Sequence, residues 1–459
     1  MSVTALQWAL VLASSVVLFV ASPLARTVPE FFRGARKNHS PNTLYLTSSL
    51  VISWLFAKSI TNSANLGQRF GLVGGIAYAG YYLSFLVAGF VLVAMRTRGG
   101  YRSIHHFLES KFGRSAVVVF TLLIMIRLYN EIWSNTIVIG SYFGESGTTP
   151  YYVAIVVFTL LTLAYTLKGG MSSSIMTDVI QMTLFIGLLT VILGFILPEY
   201  GGRLTPFLRS GSWELGQGVD LLLVALVQCF SYPFHDPVLT DRGFISDPRT
   251  TLKSYVWAWA IGSLCIVFFS FVGIFANLKG LSGEAPVAVA RYFGVPMLLL
   301  MNLIMVTSAS STLDSAMASF SKLISIDLGR TDVPKLSTGR WAMVVLTVLG
   351  TIPVFFDPAI LSATTISGTL VLGLAPVFLF WNKAVPRFAF HLSVVGGLVL
   401  GALLTFLPLP KALLLTDGKY APLLSANLIT TIYCFLVFLA SSFFAQPTHD
   451  NPSNDPQPR

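Results

Sequence analysis

Apolar stretches long enough to cross a lipid bilayer follow one another along almost the whole chain. Of its 459 residues, 54% are hydrophobic and only 10% are charged, which is typical of a membrane protein with many spans. Since a spanning helix needs about 20 mainly apolar residues, about 13 stretches qualify. They lie at 5–26, 44–66, 71–95, 115–143, 150–167, 174–197, 218–238, 254–277, 287–326, 338–356, 359–382, 388–408 and 422–445. We therefore predict an all-α polytopic membrane domain over residues 1–445, followed by a disordered tail at 446–459. The stretch 287–326 is too long for one straight crossing and is expected to begin as an amphipathic surface segment near Arg291.

The basic residues predict the orientation of the chain in the membrane. If the N-terminus lies outside, the cytoplasmic side, most of it in six loops, carries about 20 of the 29 Lys and Arg residues, as the positive-inside rule requires. These loops are 26–43, 96–114, 168–172, 239–253, 327–340 and 383–387. We expect an integral protein of a plasma membrane, with the bacterial inner membrane favoured, whose C-terminus and tail face the cytoplasm.

One apolar stretch carries a dense run of hydroxyl groups, from Thr307 to Ser315, around the carboxyl group of Asp314. Helical spacing places five of the residues in this region on one face: Ile304, Thr307, Ser308, Ser311 and Ser315. Such a face offers oxygen atoms and no nitrogen atoms, which suits a hard cation such as Na⁺. The alternative is packing between helices, since Ser and Thr commonly join membrane helices. The number of hydroxyls around one Asp favours the ion site.

Five charged side chains are predicted at membrane depth, where an ionisable residue indicates a functional site by default. They are Lys58, Arg127, Glu131, Asp178 and Asp314. Arg127 and Glu131 are four residues apart on one helix, so they either pair with each other or face a solute cavity. The residues alone leave both interpretations open.

Two of the apolar stretches look interrupted. Small and polar residues fill the middle of one stretch, from 53 to 65, and the sequence Ser231-Tyr232-Pro233 interrupts another. Unwound backbone at membrane depth is tolerated where it lines a cavity, and two interrupted helices in corresponding positions indicate the binding site of a secondary transporter. Counting from these helices gives a five-helix repeat at 44–197 and an inverted second repeat at 218–382. One additional helix precedes this 5+5 core and two follow it.

Three segments resemble the sodium/solute symporter family, which has an inverted-repeat, LeuT-like fold. The segment 169–181 resembles the family's Gly-Gly…Thr-Asp…Gln pattern at the start of the fifth core helix. The segment 306–315 is similar to the eighth core helix, although Asp314 stands where the family usually has Asn. Asp241-Arg242, with Asp247 after it, is similar to the family's Gln-Arg…Lys-Asp loop. Weaker similarity extends over residues 1–440, and residues 52–55 faintly resemble the urea-transporting branch without fixing a solute.

The resemblance implies a cofactor, Na⁺, and the side chains that hold it. The first sodium site would use the backbone carbonyls of Ile52, Leu55 and Ile304 and the hydroxyls of Thr307 and Ser308. Ile304 replaces the family's usual Ala, a tolerable change because only its carbonyl would bind the ion. Some members have a second site, which Asp178, Thr307, Ser310 and Ser311 match. An anionic ligand there would strengthen cation binding.

The resemblance also implies sodium-coupled transport of a small organic solute by alternating access. The candidate solute-binding residues are Lys58, Ser59, Arg127, Glu131, Ser231 and Tyr232. Lys58 and Arg127 could bind a carboxylate, for which Arg is well suited, and this interpretation is slightly favoured. If Glu131 and Asp314 neutralise both cations, a neutral solute such as urea, a sugar or a zwitterionic amino acid is equally reasonable.

The sequence leaves two alternatives to sodium-coupled transport open. The same fold could be driven by protons through Asp178 or Asp314, or could serve as a membrane solute sensor. An enzyme is not expected, because His235 and Asp236 have no nucleophile or metal ligands beside them. Cys229, Cys265 and Cys434 lack the spacing of a zinc site or a disulfide framework. The expected partners are a small-molecule solute and the lipid bilayer, with no nucleic acid and no obligate protein partner.

Overall fold

The computed structural model describes residues 2–35, 39–329, 334–356 and 367–444, and the regular elements of these residues are helices. The α-helices are α1 (Val3–Ala21), α2 (Val28–Arg33), α3 (Thr43–Trp54), α4 (Ala57–Phe70), α5 (Leu72–Ala79), α6 (Leu83–Thr97), α7 (Ile104–Phe112), α8 (Arg114–Gly140), α9 (Thr149–Gly169), α10 (Met171–Ile196), α11 (Thr205–Leu208), α12 (Val219–Gln228), α13 (Pro237–Arg242), α14 (Pro248–Leu278), α15 (Ala285–Phe293), α16 (Val295–Lys322), α17 (Leu336–Thr351), α18 (Leu374–Leu379), α19 (Phe388–Phe406) and α20 (Ala421–Ser441). The predicted all-α membrane fold is confirmed.

Ten helical spans of the described residues are long and apolar enough to cross a membrane, and the bent pair α3 and α4 makes an eleventh. The predicted count of 13 is not reproduced, for two reasons. The stretch 218–238 contains the short helix α12 and then a 3₁₀ turn, Tyr232–His235. The stretch 359–382 begins outside the described residues, and the predicted tail at 446–459 lies entirely outside them. The long stretch 287–326 divides at Gly294 into α15 and α16.

The bent pair is held in the protein by close packing of α4 against α14. A Cβ added to Gly273 would lie only 1.6 Å from the carbonyl oxygen of Ala64, and one added to Gly67 would lie 2.3 Å from that of Ser270. The hydroxyl of Ser63 donates a hydrogen bond across the same interface to the carbonyl of Ile266, at 2.7 Å. Small residues let membrane helices approach backbone to backbone, so α14 fixes the position of α4. The division of the chain into repeats at 44–197 and 218–382 remains a prediction.

Candidate ion and solute site

Both predicted interruptions are present. Helix α3 ends at Trp54, α4 begins at Ala57, and the two axes differ by 59°. The Leu55 amide donates to the Val51 carbonyl, the Lys58 amide donates to the Asn135 side chain, and the next bond between backbone groups runs from the Ile60 amide to the Phe56 carbonyl. No hydrogen bond between described residues therefore reaches the carbonyls of Ile52 and Leu55, two of the predicted sodium ligands.

The second interruption separates α12 from α13. Pro233 lies in the 3₁₀ turn, and Asp236 is extended and caps α13. Its Oδ1 accepts from the amides of Val238 and Leu239, at 3.0 and 3.4 Å. Proline at the first position and an Asp cap both favour the start of a helix, so α13 begins directly after the break.

The first candidate sodium site contains a buried oxygen atom that has no hydrogen-bond partner among the described residues. Helix α16 packs beside α3, and the hydroxyls of Ser53 and Ser315 are 2.9 Å apart between them. The Ser308 hydroxyl is fully buried and has no hydrogen-bond partner within the described part of the chain. A buried hydroxyl without a partner is costly, and a bound cation would satisfy its lone pairs. The other predicted ligands, on the same two helices or at the break, are also buried: Ile52, Leu55, Ile304 and Thr307.

The second candidate site is crowded by hydrogen bonds. Asp178 Oδ1 accepts from the Ser311 hydroxyl at 2.6 Å, and its Oδ2 accepts from the Ser49 hydroxyl. Ser310 donates to the carbonyl of Thr307 at 3.0 Å. The structure thus brings the predicted residues together, and the side chains of Asp178, Ser310 and Ser311 make hydrogen bonds within the protein.

Sequence reasoning missed a cation in this cluster. The loop 239–253 was expected in the cytoplasm, but Arg242 ends α13 and is fully buried. Its Nη2 lies 3.5 Å from Asp178 Oδ2 and donates to the Ser315 hydroxyl at 2.8 Å, and its Nε donates to the Ser49 hydroxyl at 2.6 Å. We call Ser49, Asp178, Arg242 and Ser315 the Arg242 cluster. A helix-start signal at Asp236-Pro237 was available in the sequence and would have extended the structured region to this arginine.

Asp314 lies beside the Arg242 cluster and is held by hydroxyl groups. Tyr165 and Ser174 donate to its two oxygens at 2.7 and 2.8 Å, and Thr177 donates at 3.1 Å. The hypothesis that Asp314 neutralises Lys58 or Arg127 is wrong, because none of these donors is a cation from the solute region.

Four charged groups between the two helix breaks form what we call the charged tetrad: Lys58, Arg127, Glu131 and Asp236. Lys58 Nζ lies 2.9 Å from Glu131 Oε1, and Arg127 pairs with the same carboxylate. Arg127 Nη2 lies 3.2 Å from Asp236 Oδ2. All four are buried. The predicted pairing of Arg127 with Glu131 is therefore present, but as part of a group with equal numbers of positive and negative charges.

Aromatic rings and hydroxyls surround the charged tetrad. The Arg127 guanidinium lies 5.4 Å from the ring centre of Phe56 and 5.2 Å from that of Tyr232, a separation at which cation–π attraction operates. The Trp54 indole donates to Asp236 at 2.9 Å and so joins the two breaks directly. The remaining predicted solute residues are satisfied locally. The Ser59 hydroxyl is 3.0 Å from that of Tyr78, and Ser231 donates to the carbonyl of Gln228 at 3.2 Å.

Two cavities approach the charged tetrad from opposite sides. One, of about 1060 Å³, is lined by Asn62, one helical turn from Lys58, and by Tyr142. The other, of about 830 Å³, is lined by Pro237 and Lys322 and by residues 100–105 of the predicted cytoplasmic loop 96–114. Neither is lined by a member of the tetrad, which therefore lies in the layer between them. Among the described residues, no group of three or more His, Cys, Asp or Glu side chains could hold a metal ion.

Comparison with known proteins gives partial matches in sequence. Residues 41–222 match the model of the sodium:solute symporter family. Sodium/glucose cotransporter 1 of Oryctolagus cuniculus is 28% identical over 159 residues, which cover 32% of this chain and 23% of that protein. The probable urea active transporter 3 of Schizosaccharomyces pombe is 22% identical over 407 residues, which cover 75% of this chain and 60% of that protein. The matches therefore span less than two thirds of either relative.

Solved structures match over almost the whole chain. A Na⁺-coupled sialic acid symporter superimposes with a TM-score of 0.70 at 15% identity, covering 97% of this chain and 99% of its own. Mhp1, a nucleobase-cation-symport-1 family transporter, gives a TM-score of 0.59 at 13% identity, covering 91% of this chain and 96% of its own. At these identities the likeness establishes the fold, which is the LeuT-like fold. In sequence, the match to the sodium:solute symporter family model covers residues 41–222, less than half of the chain.

Proposed function

We propose that this protein is a secondary active transporter that couples the movement of a small organic solute to Na⁺. The observation that carries the proposal is the Ser308 hydroxyl, fully buried and without a partner in the described structure. It lies on a helix packed beside a break whose Ile52 and Leu55 carbonyls accept no hydrogen bond from described residues. These residues fit Na⁺, which prefers oxygen ligands.

The mechanism follows from which elements the ion joins. Na⁺ held by the carbonyls of Ile52, Leu55 and Ile304 and the hydroxyls of Thr307 and Ser308 would tie the bent pair to α16 and stabilise the outward-open conformation. The inward conformation separates these elements and weakens the site. The membrane potential contributes about 2.3 kcal/mol per charge per 100 mV. Coupling requires only that ion and solute favour the same conformation.

The charged tetrad favours a neutral or zwitterionic solute over the carboxylate that the sequence slightly favoured. Glu131 and Asp236 already match Lys58 and Arg127 in charge, with contacts at 2.9 and 3.2 Å. A carboxylate would have to displace Glu131 or Asp236 from a buried cation, leaving one carboxylate unpaired, and an unpaired buried charge is strongly destabilising. Urea, a sugar or a zwitterionic amino acid could bind without changing the charge balance.

The first test measures unfolding of the purified protein in NaCl and in KCl at equal ionic strength. Ser308→Ala removes one proposed ligand. Ser321→Ala is the matched control, because Ser321 is another buried, unpartnered hydroxyl on α16, about 20 Å further along the helix axis. At 100 times its dissociation constant, Na⁺ should add about 2.7 kcal/mol to the wild type and to Ser321→Ala, and much less to Ser308→Ala.

The same measurement separates the alternatives. If a correctly folded wild type is equally stable in both salts, sodium coupling is rejected, and transport driven by pH at zero sodium gradient becomes the favoured mechanism. For the solute, a panel in NaCl compares urea, glucose and neutral amino acids with mono- and dicarboxylates. Stabilisation by carboxylates alone would overturn the proposal of a neutral or zwitterionic solute.

A further inference from the structure

The contact between Arg127 and Asp236 divides the charged tetrad into two groups. In one group, Lys58 and Arg127 share the Glu131 carboxylate, which leaves one net positive charge. The other group is the carboxylate of Asp236, whose Oδ2 lies 3.2 Å from Arg127 Nη2. If this contact opens, each group is left with a buried charge that needs a partner of opposite sign.

Asp236 can lose the arginine without losing its position. The Trp54 indole donates to its Oδ2 at 2.9 Å, and the amides of Val238 and Leu239 donate to its Oδ1. These neutral donors hold the carboxylate at the start of α13 but do not neutralise its charge. Asp236 is therefore a fixed anion to which a cationic group of the solute can bind once the contact with Arg127 opens.

An unused donor and an unused acceptor accompany these two charges. The Nε–H of Arg127 is buried and has no hydrogen-bond partner among the described residues. His235 Nδ1 lies 2.6 Å from the carbonyl oxygen of Tyr232. Because a carbonyl only accepts, Nδ1 carries the hydrogen and Nε2 is an acceptor, which is also buried and unpartnered within the described part of the chain. The Tyr232 ring lies 4.7 Å from the His235 ring and 5.2 Å from the Arg127 guanidinium, measured from its centre, and so contacts both residues.

These groups together favour one charge pattern in the solute. A neutral sugar or urea would leave both buried charges without a counterion, a carboxylic acid would compensate only Arg127, and an amine would compensate only Asp236. We infer that the solute is a zwitterion of the amino-acid type, with Arg127 binding its carboxylate and with Asp236 and His235 binding its ammonium. His235 is not among the solute-binding residues that the sequence predicts. This inference rests on the proposed transport function and narrows the solute class given there.

The test measures thermal shifts of the purified full-length protein in NaCl. Neutral amino acids are screened first, and the one that stabilises most is compared with three of its derivatives. Its amide keeps only the ammonium charge, its N-acetyl derivative keeps only the carboxylate, and its N-trimethyl derivative keeps both charges without an N–H bond. The first two should bind at least about 100-fold more weakly than the parent, because each leaves one buried charge unpaired. The N-trimethyl derivative should bind about 10-fold more weakly, because it cannot donate to His235.

Two substitutions test the ammonium-binding residues. His235→Phe keeps a ring beside Tyr232 but removes the acceptor, so it should weaken binding of the parent about 10-fold and leave the N-trimethyl derivative unchanged. Asp236→Asn keeps a residue that caps helices well but removes the negative charge, so the N-acetyl derivative should then bind more tightly than the parent. His105→Phe, at a half-buried histidine of the cytoplasmic cavity, is the matched control and should change none of these affinities.

Failure of this inference is distinguishable from failure of the proposed function. A wild type that Na⁺ stabilises but that responds to no amino acid, or only to urea or glucose, would overturn the zwitterion and leave sodium coupling intact. An N-acetyl derivative that binds the wild type as tightly as the parent, or a His235→Phe variant with unchanged affinity for the parent, would also overturn it. A wild type that Na⁺ does not stabilise would instead overturn the proposed function. If either variant does not fold, the derivatives measured on the wild type still decide.

Discussion

Replacing Glu131 by Gln tests whether the charged tetrad is a balanced unit. Lys58 Nζ lies 2.9 Å from the Glu131 carboxylate, Arg127 pairs with it, and the Asn135 side-chain amide donates to it at 2.9 Å. At an effective dielectric of 20, one such ion pair has an attraction of about 6 kcal/mol. The pair also carries a desolvation cost, so the measurable loss on removing one partner of a buried pair is about 3–5 kcal/mol. One carboxylate here serves two cations, which places Glu131→Gln in the upper part of that range.

The assay is equilibrium unfolding of the purified protein in a titration with SDS, with Lys58→Met and the double variant Lys58→Met/Glu131→Gln in the same series. The double variant restores equal numbers of buried charges and leaves no unpaired Lys58, so it should be more stable than Glu131→Gln by at least about 2 kcal/mol. Glu109→Gln, on an exposed side chain, controls for loss of a carboxylate and should stay within about 0.5 kcal/mol of the wild type. A Glu131→Gln variant as stable as this control, or a double variant less stable than Glu131→Gln, would refute the reasoning.

Two further predictions concern packing and pH. Gly273→Ala should lower the free energy of unfolding by about 3 kcal/mol or more, because the added Cβ would lie 1.6 Å from the Ala64 carbonyl oxygen. The control is Gly187→Ala, whose Cβ would meet nothing within 4 Å. Equal stability of the two variants would contradict the close contact of α4 and α14. Burial lowers the pKa of Lys111, in the segment between two spans, to about 8. Because the folded state therefore disfavours the charged form of this side chain, Lys111→Met should be more stable than the wild type at pH 7 by at most about 3 kcal/mol. The wild type regains this stability as the pH rises from about 8 towards the unfolded value of about 10.4, and a difference between the two proteins that is unchanged from pH 7 to pH 10 would contradict the sign.

The elements that were predictable are those with a local signal. Polar residues in mid-stretch at 53–65 and Pro233 both weaken a helix where they stand, and the structure has its breaks there. The i,i+4 spacing of Arg127 and Glu131 likewise allows them to pair, which was one of the two interpretations, and the pair is present in the structure. Local spacing cannot reveal partners from other helices. Lys58 reaches Glu131 across 73 positions of sequence, a contact set by the bend of α3 and α4 rather than by any periodicity.

Arg242 is a second residue whose partners could not be predicted from local sequence signals. Its position between an apolar stretch and Asp247-Pro248 is typical of a basic cytoplasmic loop, and the positive-inside rule counts it as such. The short helix α13 instead carries the side chain inward, to the serines of α3 and α16. Only the tertiary arrangement distinguishes a basic residue that marks a membrane boundary from one that compensates a buried carboxylate.

The charged tetrad also constrains how the two cavities can exchange access. Lys58 follows the first break, Asp236 closes the second, and the Trp54 indole donates to Asp236 between them. Arg127 and Glu131 on α8 hold both ends. Opening either cavity to the centre must therefore lengthen at least one of these buried contacts, whose loss is costly unless another polar group replaces it. A solute that offers both a hydrogen-bond donor and an acceptor can make that replacement on either side without adding net charge. The tetrad would then act as the closed layer between the two cavities, and solute binding would compensate for the contacts that each opening breaks.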